Sequence, residues 1–209
     1  MSIKEAYNQW SSVYDSNENK TRDLEAIALR KVLSEFQFSN ILEIGCGTGK
    51  NTEWLIYKCE TLVAIDFSEQ MLQKAMDKLN LKNVNFIQAD ITKEWNFIPQ
   101  KPFDLITASL VLEHIKDLNH IFKQASTFLI ANGFFYIGEL HPFKQYQGSK
   151  ARFETENDVK VLECFTHHLS DFITHARFNN FKVYHLEEFF DDDDKSTIPR
   201  ILSILFQKN

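Results

Sequence analysis

Residues Asn40–Gly49 read NILEIGCGTG, and this segment is the clearest indication of the fold. Its first half is a short apolar run, which is typical of a buried strand, and the run ends in glycine. Gly45, Gly47 and Gly49 let the backbone adopt positive φ and approach a ligand closely. A helical pattern follows over Thr48–Lys58, and a helix N-terminus offers unpaired N–H groups and the positive end of its dipole. The stretch therefore predicts a strand, a glycine turn and a helix that together form a ligand site.

The glycine spacing separates this site from two other ligand-binding loops. The dinucleotide fingerprint G-x-G-x-x-G needs a third glycine at the position that Lys50 occupies here. The P-loop pattern, G-x-x-x-x-G-K followed by Ser or Thr, is absent from the sequence. A nicotinamide-dependent Rossmann enzyme stays open as a rival interpretation, and tight binding of NAD would favour it.

Strand and helix patterns alternate along the rest of the chain. Further strands are predicted at Thr61–Asp66, Val84–Gln88, Phe103–Ser109, Phe134–Glu139, Phe181–Glu187 and Arg200–Gln207. Further helices are predicted at Ser68–Leu79, Lys116–Leu129 and Phe165–Phe178. The alternation predicts an α/β fold with a doubly wound, mostly parallel sheet and ligands at the carboxyl ends of its strands. The last connection has no room for a crossover helix, so the final strand is predicted to be antiparallel.

The length of 209 residues predicts a single domain. Residues 1–36 precede the first strand and have the pattern of two helices. Residues 37–139 carry the alternation that forms the core. Residues 140–164 are a long connection at the ligand edge of the sheet, and residues 165–209 are a helix followed by a hairpin. A long ordered loop at this edge is commonly functional.

Charge and cysteine content narrow the function classes. There are 23 Lys and Arg against 29 Asp and Glu, a net charge of -6, which disfavours a tRNA or DNA partner. The three cysteines form no CxxC pair, so neither a zinc cage nor a disulfide framework is predicted, and a reducing cytoplasm fits best. The first residues lack the apolar segment of a signal peptide, and no apolar run reaches the length of a membrane span. The spacing of His114, His141 and His168 does not indicate a metal site, so none is predicted.

An aspartate stands at the end of the second predicted strand, and another stands just after the third. Asp66 ends the second strand, where its carboxylate is placed to accept both hydroxyls of a ribose. Asp90 follows the third strand, where its carboxylate is placed to accept from the exocyclic amine of an adenine. Together with the glycine turn, the two acids predict a pocket for an adenosine moiety.

Four segments resemble successive motifs of the class I S-adenosylmethionine-dependent methyltransferases. They are ILEIGCGTGKNTEWL from residue 41, VAIDFSEQML from 63, FIQADIT from 86 and FDLITASLVLEHIKD from 103. The resemblance covers residues 38–140 and rests on the order and spacing of the four segments. It implies the seven-stranded Rossmann-like methyltransferase fold with an antiparallel last strand, and S-adenosyl-L-methionine as the cofactor.

The resemblance also assigns roles within the pocket. The glycines back the methionine part of the cofactor, Phe67 and Met71 pack on the adenine, and Tyr14 in an N-terminal lid covers the carboxylate end. Arg22 is a candidate partner for that carboxylate. The residues predicted to bind the cofactor are Tyr14, Arg22, Glu43, Gly45, Cys46, Gly47, Gly49, Asp66, Phe67, Met71, Asp90, Ile91, Ser109 and His114.

The predicted reaction is methyl transfer to a small molecule through an oxygen, nitrogen or sulfur nucleophile. Such an in-line displacement depends mainly on proximity and orientation, and a base is needed only where the acceptor must lose a proton. His141, just past the fifth strand, is the predicted catalytic base. The following loop carries Phe143, Lys144, Tyr146, Lys150 and Arg152, and aromatic rings together with cations suit a lid over an anionic or aromatic small molecule.

Two further alternatives stay open. The same fold acts on tRNA or protein in other chains, and a basic patch beside the pocket would favour that interpretation here. A cofactor-binding protein without catalysis is the second alternative, and a pocket without an acceptor cavity would favour it. A monomer or a homodimer is predicted, with no membrane partner.

Overall fold

The computed structural model describes residues 3–12, 14–79, 81–98, 102–150, 152–155 and 158–209. The helices are α1 (Ile3–Trp10), α2 (Lys20–Val32), α3 (Thr52–Leu55), α4 (Glu69–Lys78), α5 (Leu118–Phe128), α6 (Pro142–Tyr146) and α7 (Leu169–Phe178). The strands are β1 (Phe38–Ile44), β2 (Cys59–Asp66), β3 (Val84–Gln88), β4 (Phe103–Ser109), β5 (Leu129–Leu140), β6 (Arg152–Thr155), β7 (Asp158–Val161), β8 (Phe181–Phe189) and β9 (Ile201–Lys208). None of the helices in these ranges combines the length and the apolar character needed to cross a bilayer.

Seven strands of the described chain form one sheet in the order β3-β2-β1-β4-β5-β9-β8. Strands β1 to β5 pair in parallel, whereas β9 is antiparallel to both of its neighbours. A single 3-10 turn, Asp191–Asp193, lies in the connection from β8 to β9, which is too short for a crossover helix. The predicted α/β fold, with a seven-stranded mostly parallel sheet and an antiparallel last strand, is confirmed.

Hydrophobic cores cover both faces of the sheet. On one face, Leu29 of α2 and Leu55 of α3 are fully buried together with Ile41 of β1. On the other face, Phe122 of α5 packs in a cluster that contains Leu42 of β1. Successive β1 side chains therefore point to opposite faces, as the strand geometry requires. Each such side chain contributes roughly 1.5–3 kcal/mol of transfer free energy on burial.

Two predicted helices are shorter than the sequence pattern indicates. The helix predicted over Thr48–Lys58 is regular only in α3, and a 3-10 turn at Ile56–Lys58 continues it. The helix begins only at Thr52, because Gly45, Gly47 and Gly49 in the glycine turn have left-handed φ values. The helix predicted from Phe165 begins instead at Leu169, because His168 and Asp171 form a capping box there.

Residues 128–164 contain more regular structure than predicted. The helix predicted to end at Leu129 ends at Phe128, and β5 begins directly after it. Asn132 adopts a φ of 63°, and its segment belongs to the strand rather than to a separating turn. The long connection after β5 contains α6 and the β6–β7 hairpin. Pro142 occupies the first turn of α6, where its fixed φ favours a helix start.

Candidate active site

Three cavities lined by described residues meet at the carboxyl ends of the parallel strands. The inner cavity has a volume of about 240 Å³, the outer chamber about 830 Å³ and the glycine-turn cavity about 60 Å³. Tyr14 and Leu110 line all three, so the cavities are neighbouring parts of one cleft. The cleft lies where ligands bind in doubly wound sheets.

The structure brings twelve of the fourteen predicted cofactor residues to this cleft. Nine line the inner cavity: Tyr14, Gly45, Gly47, Asp66, Phe67, Asp90, Ile91, Ser109 and His114. Arg22, Glu43 and Cys46 line the glycine-turn cavity. Gly49 and Met71 line none of the three cavities. Gly49 abuts the side chains of α4, and Met71 is buried beneath α1 beside Trp10.

The glycine turn is left-handed at both residues that border the inner cavity. Gly45 has a φ of 71° and Gly47 a φ of 56°, a region that favours glycine. A Cβ on Gly45 would lie 1.9 Å from Cγ2 of Val111, whereas a Cβ on Gly47 would meet nothing within 4 Å. Gly45 therefore allows close packing within the fold, and Gly47 keeps the side of the cleft open.

Asp66 joins the glycine turn to the start of α4. Its Oδ2 accepts from the backbone N–H of Gly47 at 2.8 Å, and its Oδ1 accepts from that of Ser68 at 2.8 Å. Burial raises the pKa of Asp66, and these backbone hydrogen bonds oppose that rise. An ionised carboxylate has about four acceptor sites, so further sites remain for ligand hydroxyls.

Asp90 is placed at the other side of the inner cavity. Its Oδ1 accepts from both the backbone N–H and the hydroxyl of Thr92, at 3.0 and 2.6 Å. No described residue forms a hydrogen bond with its Oδ2. One carboxylate oxygen thus fixes the turn after β3, and the other remains for a ligand N–H.

Acceptor groups line the glycine-turn cavity. The carboxyl of Glu43 accepts from Thr52 Oγ1 at 2.6 Å, and that of Glu25 accepts from Asn51 Nδ2 at 2.9 Å. Burial raises the pKa of Glu43 to about 8 and that of Glu25 to about 7. Asn51 Oδ1 is buried without a hydrogen-bond partner among the described residues. This cluster suits a cationic ammonium group, which would satisfy the amide oxygen and favour ionised carboxylates.

Sequence reasoning missed Glu25. The available signal was a glutamate on the buried face of α2, which also carries Ala26, Ala28 and Leu29. Gly138 of β5 makes room for it, because a Cβ there would lie 2.5 Å from Glu25 Oε1.

The N-terminal residues form a cover over the cleft. Asp15 accepts from Thr48 Oγ1 at 2.6 Å, and Asn8 Oδ1 accepts from Ser68 Oγ at 2.6 Å. The guanidinium of Arg22 stacks on the Tyr14 ring at 4.0 Å. These contacts tie the cover to the glycine turn and to the start of α4.

Tyr7 and His114 form a hydrogen-bonded pair at the border of the inner cavity. The Tyr7 hydroxyl lies 2.8 Å from His114 Nε2, and His114 Nδ1 lies 3.1 Å from the carbonyl oxygen of Glu163. A carbonyl oxygen only accepts, so this contact assigns the proton to Nδ1 and leaves Nε2 to accept from Tyr7. Burial raises the pKa of Tyr7 well above its usual value, so the phenol stays protonated.

His141 lies apart from these cavities. Its ring is buried at the N-cap of α6, where Nδ1 accepts from the backbone N–H of Phe143 at 3.2 Å. Nε2 then carries the proton and donates to Glu188 Oε1 at 2.9 Å. Both ring nitrogens are therefore engaged in the structure, one by the cap of α6 and one by Glu188, and the role of His141 as a base stays a prediction.

The three histidines considered for a metal have separate partners. His114 contacts Tyr7, His141 contacts Glu188, and Nδ1 of His168 lies 2.6 Å from the Tyr146 hydroxyl. In the described ranges, no group of three or more His, Cys, Asp or Glu side chains is arranged to hold a metal ion.

Known proteins resemble this chain in sequence and in fold. Residues 42–137 match the family described as "Methyltransferase domain". Over 138 residues the chain is 30% identical to malonyl-(acyl-carrier protein) O-methyltransferase 2 of Ilyobacter polytropus. The aligned region is 65% of this chain and 49% of that protein. The chain spans about half the length of the relatives it matches.

Two solved structures share the fold at low sequence identity. An S-adenosylmethionine-dependent methyltransferase of Mesorhizobium loti superposes with a TM-score of 0.70 at 21% identity, over 87% of this chain and 96% of that one. The N-methyltransferase NodS of Bradyrhizobium japonicum, in complex with S-adenosyl-L-homocysteine, gives 0.72 at 19% identity, over 98% and 97%. Residues 42–137 are therefore similar to a methyltransferase domain, and the two solved structures show that the chain shares their fold.

Proposed function

We propose that this chain transfers a methyl group from S-adenosylmethionine to a small molecule held in the outer chamber. The observation that carries the proposal is that Tyr7, Tyr14 and Leu110 line both the inner cavity and the outer chamber. A cofactor in one and an acceptor in the other would meet at this border. Proximity and orientation supply roughly 7–11 kcal/mol of a barrier in well-aligned reactions.

The residues present fit the cofactor, which supplies an electrophilic methyl group on its sulfonium sulfur. Asp66 has acceptor sites left for ribose hydroxyls, and Asp90 Oδ2 is left for an adenine amine. The unpartnered Asn51 Oδ1, together with Glu25 and Glu43, would accept the ammonium group. Arg22, which lines the same cavity, remains the proposed partner of the carboxylate.

Calorimetric titration tests the cofactor site directly. We expect micromolar binding of S-adenosylmethionine and S-adenosylhomocysteine and no binding of NAD. NAD is the matched control, because it shares the adenosine moiety but lacks the methionine part. Binding of NAD alone would favour the nicotinamide-dependent alternative. No detectable binding of any of the three ligands would favour a non-catalytic protein.

The proposed base is the pair formed by Tyr7 and His114. An acceptor hydroxyl or amine would give its proton to the Tyr7 oxygen while Tyr7 gives its own to His114 Nε2. The Nδ1–H donated to the Glu163 carbonyl would hold the ring in the required tautomer. A carboxylate acceptor would not need this transfer.

Replacing Tyr7 with phenylalanine is expected to lower kcat by roughly 100-fold or more for an acceptor that loses a proton. Nitrogen NMR of labelled histidine tests the pair without an acceptor. We expect His114 to be protonated at Nδ1, and we expect its Nε2 signal to shift in the Tyr7→Phe variant. Protonation at Nε2 instead would contradict the pair. His141→Gln is the matched variant, and a turnover loss equal to that of Tyr7→Phe would favour the sequence-based assignment.

We further propose a small-molecule rather than a macromolecular acceptor, a cytoplasmic location and a monomer or homodimer. The acidic net charge of -6 supports the absence of a nucleic-acid partner. The names of the relatives, O-methyltransferase and N-methyltransferase, support an oxygen or nitrogen acceptor.

A further inference from the structure

One short turn carries two of the groups that border the cleft. Residues 110–115, here called the His114 turn, follow β4 and contain one turn of 3-10 helix, Leu112–His114. Leu110 lines all three cavities, and His114 lines the inner cavity. Leu110 has a φ of 54°, a left-handed value that residues other than glycine rarely adopt. Contacts from outside the turn must therefore hold this conformation.

The carboxyl group of Glu139, at the end of β5, holds the start of the His114 turn. Its Oε1 accepts from the backbone N–H groups of Val111 and Leu112, at 2.9 and 2.8 Å. These N–H groups lie at the start of the 3-10 helix, where a helix provides no internal acceptor. Glu139 is only 4% exposed, so the contacts are shielded from solvent. Because a buried donor without an acceptor is costly, Glu139 fixes the position at which the turn begins.

Glu139 acts on the turn as a neutral acid near pH 7. Burial, together with the charge of Glu113, raises the pKa of Glu139 to about 8. Because Oε1 accepts from both N–H groups, the proton belongs on Oε2. A glutamine amide has the same shape and also offers one acceptor oxygen beside one donor. Glu139→Gln is therefore expected to hold the turn, whereas Glu139→Leu fills the volume but offers no acceptor.

The ring of His167, in the segment before α7, holds the end of the same turn. Its Nε2 lies 3.1 Å from the carbonyl oxygen of Leu112 and 2.8 Å from that of Ile115. Carbonyl oxygens only accept, so these contacts assign the proton to Nε2, which donates to both. Burial lowers the pKa of His167, which favours the neutral ring. The ring packs edge to face on Phe172 of α7, with centroids 5.9 Å apart, and this contact fixes its orientation.

The segment that carries His167 also contacts the middle of the His114 turn. The backbone N–H of Phe165 donates to the carbonyl oxygen of Glu113 at 2.7 Å. The carbonyl oxygen of Glu163 lies 3.1 Å from His114 Nδ1. Tyr7, the other partner of the His114 ring, belongs to α1 and not to this segment. A displacement of the turn would therefore disturb both contacts of the His114 ring.

We infer that Glu139 and His167 are positioning residues for the proposed proton transfer, because they hold the two ends of the His114 turn. They keep His114 Nε2 within hydrogen-bond distance of the Tyr7 hydroxyl, and they keep Leu110 at the border between the cavities. Neither Glu139 nor His167 lines any of the three cavities, so both act through the turn and not on a ligand. The inference rests on the proposed function, which gives the pair of Tyr7 and His114 its role.

Nitrogen NMR of the full chain with labelled histidine tests the inference through two pairs of variants. Glu139→Leu removes the acceptor and His167→Phe removes the donor, while each keeps most of the side-chain volume. In both variants we expect the His114 Nε2 signal to move most of the way to its position in Tyr7→Phe. Glu139→Gln and His167→Gln restore an acceptor and a donor, so we expect signals close to the wild type. Unmoved signals in folded Glu139→Leu and His167→Phe would overturn the inference, as would equal displacement in the glutamine variants.

Asp104 provides a matched control at the amino ends of the strands. Its carboxylate on β4 accepts from the backbone N–H groups of Ser39 and Asn40, at 2.6 and 2.9 Å. The chemistry is that of Glu139, but the contact lies far along the strand from the His114 turn. We expect Asp104→Leu to lower the melting temperature without moving the His114 signal. Displacement as large as in Glu139→Leu would show a general effect of lost stability and would contradict positioning through the turn.

Hydrogen exchange on the unaltered chain tests the role of Glu139 even where a variant does not fold. We expect the amides of Val111 and Leu112 to exchange as slowly as those within β4. Exchange at the rate of an exposed loop would overturn that role. Titration with S-adenosylhomocysteine separates the two proposals, since its failure to bind contradicts the proposed function. Binding of S-adenosylhomocysteine together with an unmoved His114 signal contradicts only the positioning role.

Discussion

Replacing Asp66 with alanine is expected to lower the affinity for S-adenosylhomocysteine by about 2–3 kcal/mol, or roughly 30- to 150-fold. Hydrogen bonds from ligand hydroxyls to a carboxylate are charge-assisted, and the variant removes them. It also removes the acceptors of the Gly47 and Ser68 N–H groups, both at 2.8 Å. The glycine turn then loses the side chain that connects it to α4.

Calorimetry measures the affinity, and a thermal unfolding curve shows whether the variant is still folded. The matched control is Asp77→Ala, since Asp77 is exposed on α4 and lines none of the three cavities. A second variant, Asp66→Asn, keeps the shape of the side chain. It places an amide N–H₂ against one of the two backbone N–H donors and an uncharged oxygen against the other. Wild-type affinity in a folded Asp66→Ala protein would contradict the ribose assignment.

The sequence was sufficient for the sheet and for the strand-end acids. The first three strands are short runs, and a glycine or an acid stands at or just after the end of each: Gly45, Asp66 and Asp90. The topology rule then brings the ends of neighbouring parallel strands to one edge. Local patterns and one rule of topology thus lead to four residues of the inner cavity, Gly45, Gly47, Asp66 and Asp90, whereas the other five predicted residues that line it were implied by the family resemblance.

The parts that sequence reasoning missed depend on contacts between distant residues. Glu25 reaches Asn51, and Tyr7 reaches His114 across 107 positions, which no local period records. His141 was predicted to be a base from its place after β5. In the structure, Glu188 of β8 and the backbone N–H of Phe143 in α6 engage its two ring nitrogens, contacts that no local pattern predicts.

The second large effect is expected from Gly45→Ala, which should lower the free energy of unfolding by about 3 kcal/mol. The left-handed φ of 71° and the 1.9 Å approach to Val111 both oppose a Cβ at this position. For a chain of this size the melting temperature should fall by roughly 6–12 °C. Thermal or denaturant unfolding measures the change.

Val111→Ala separates the two causes in a double-mutant cycle. It removes the methyl groups that the new Cβ would meet, so the double variant should be more stable than the sum of the single changes by about 1 kcal/mol. The backbone cost at Gly45 would remain. Strict additivity would show that φ alone, and not contact with Val111, opposes the alanine.

Gly47→Ala is the contrasting variant within the same turn. A Cβ there meets nothing within 4 Å, so only the backbone cost at a φ of 56° applies, about 1–2 kcal/mol. Because Gly47 lines both the inner and the glycine-turn cavity, the methyl group would take space beside the ligand. We expect a folded protein whose affinity for S-adenosylhomocysteine falls more than about 10-fold. Unchanged affinity would mean that the turn approaches the ligand through Gly45 and not through Gly47.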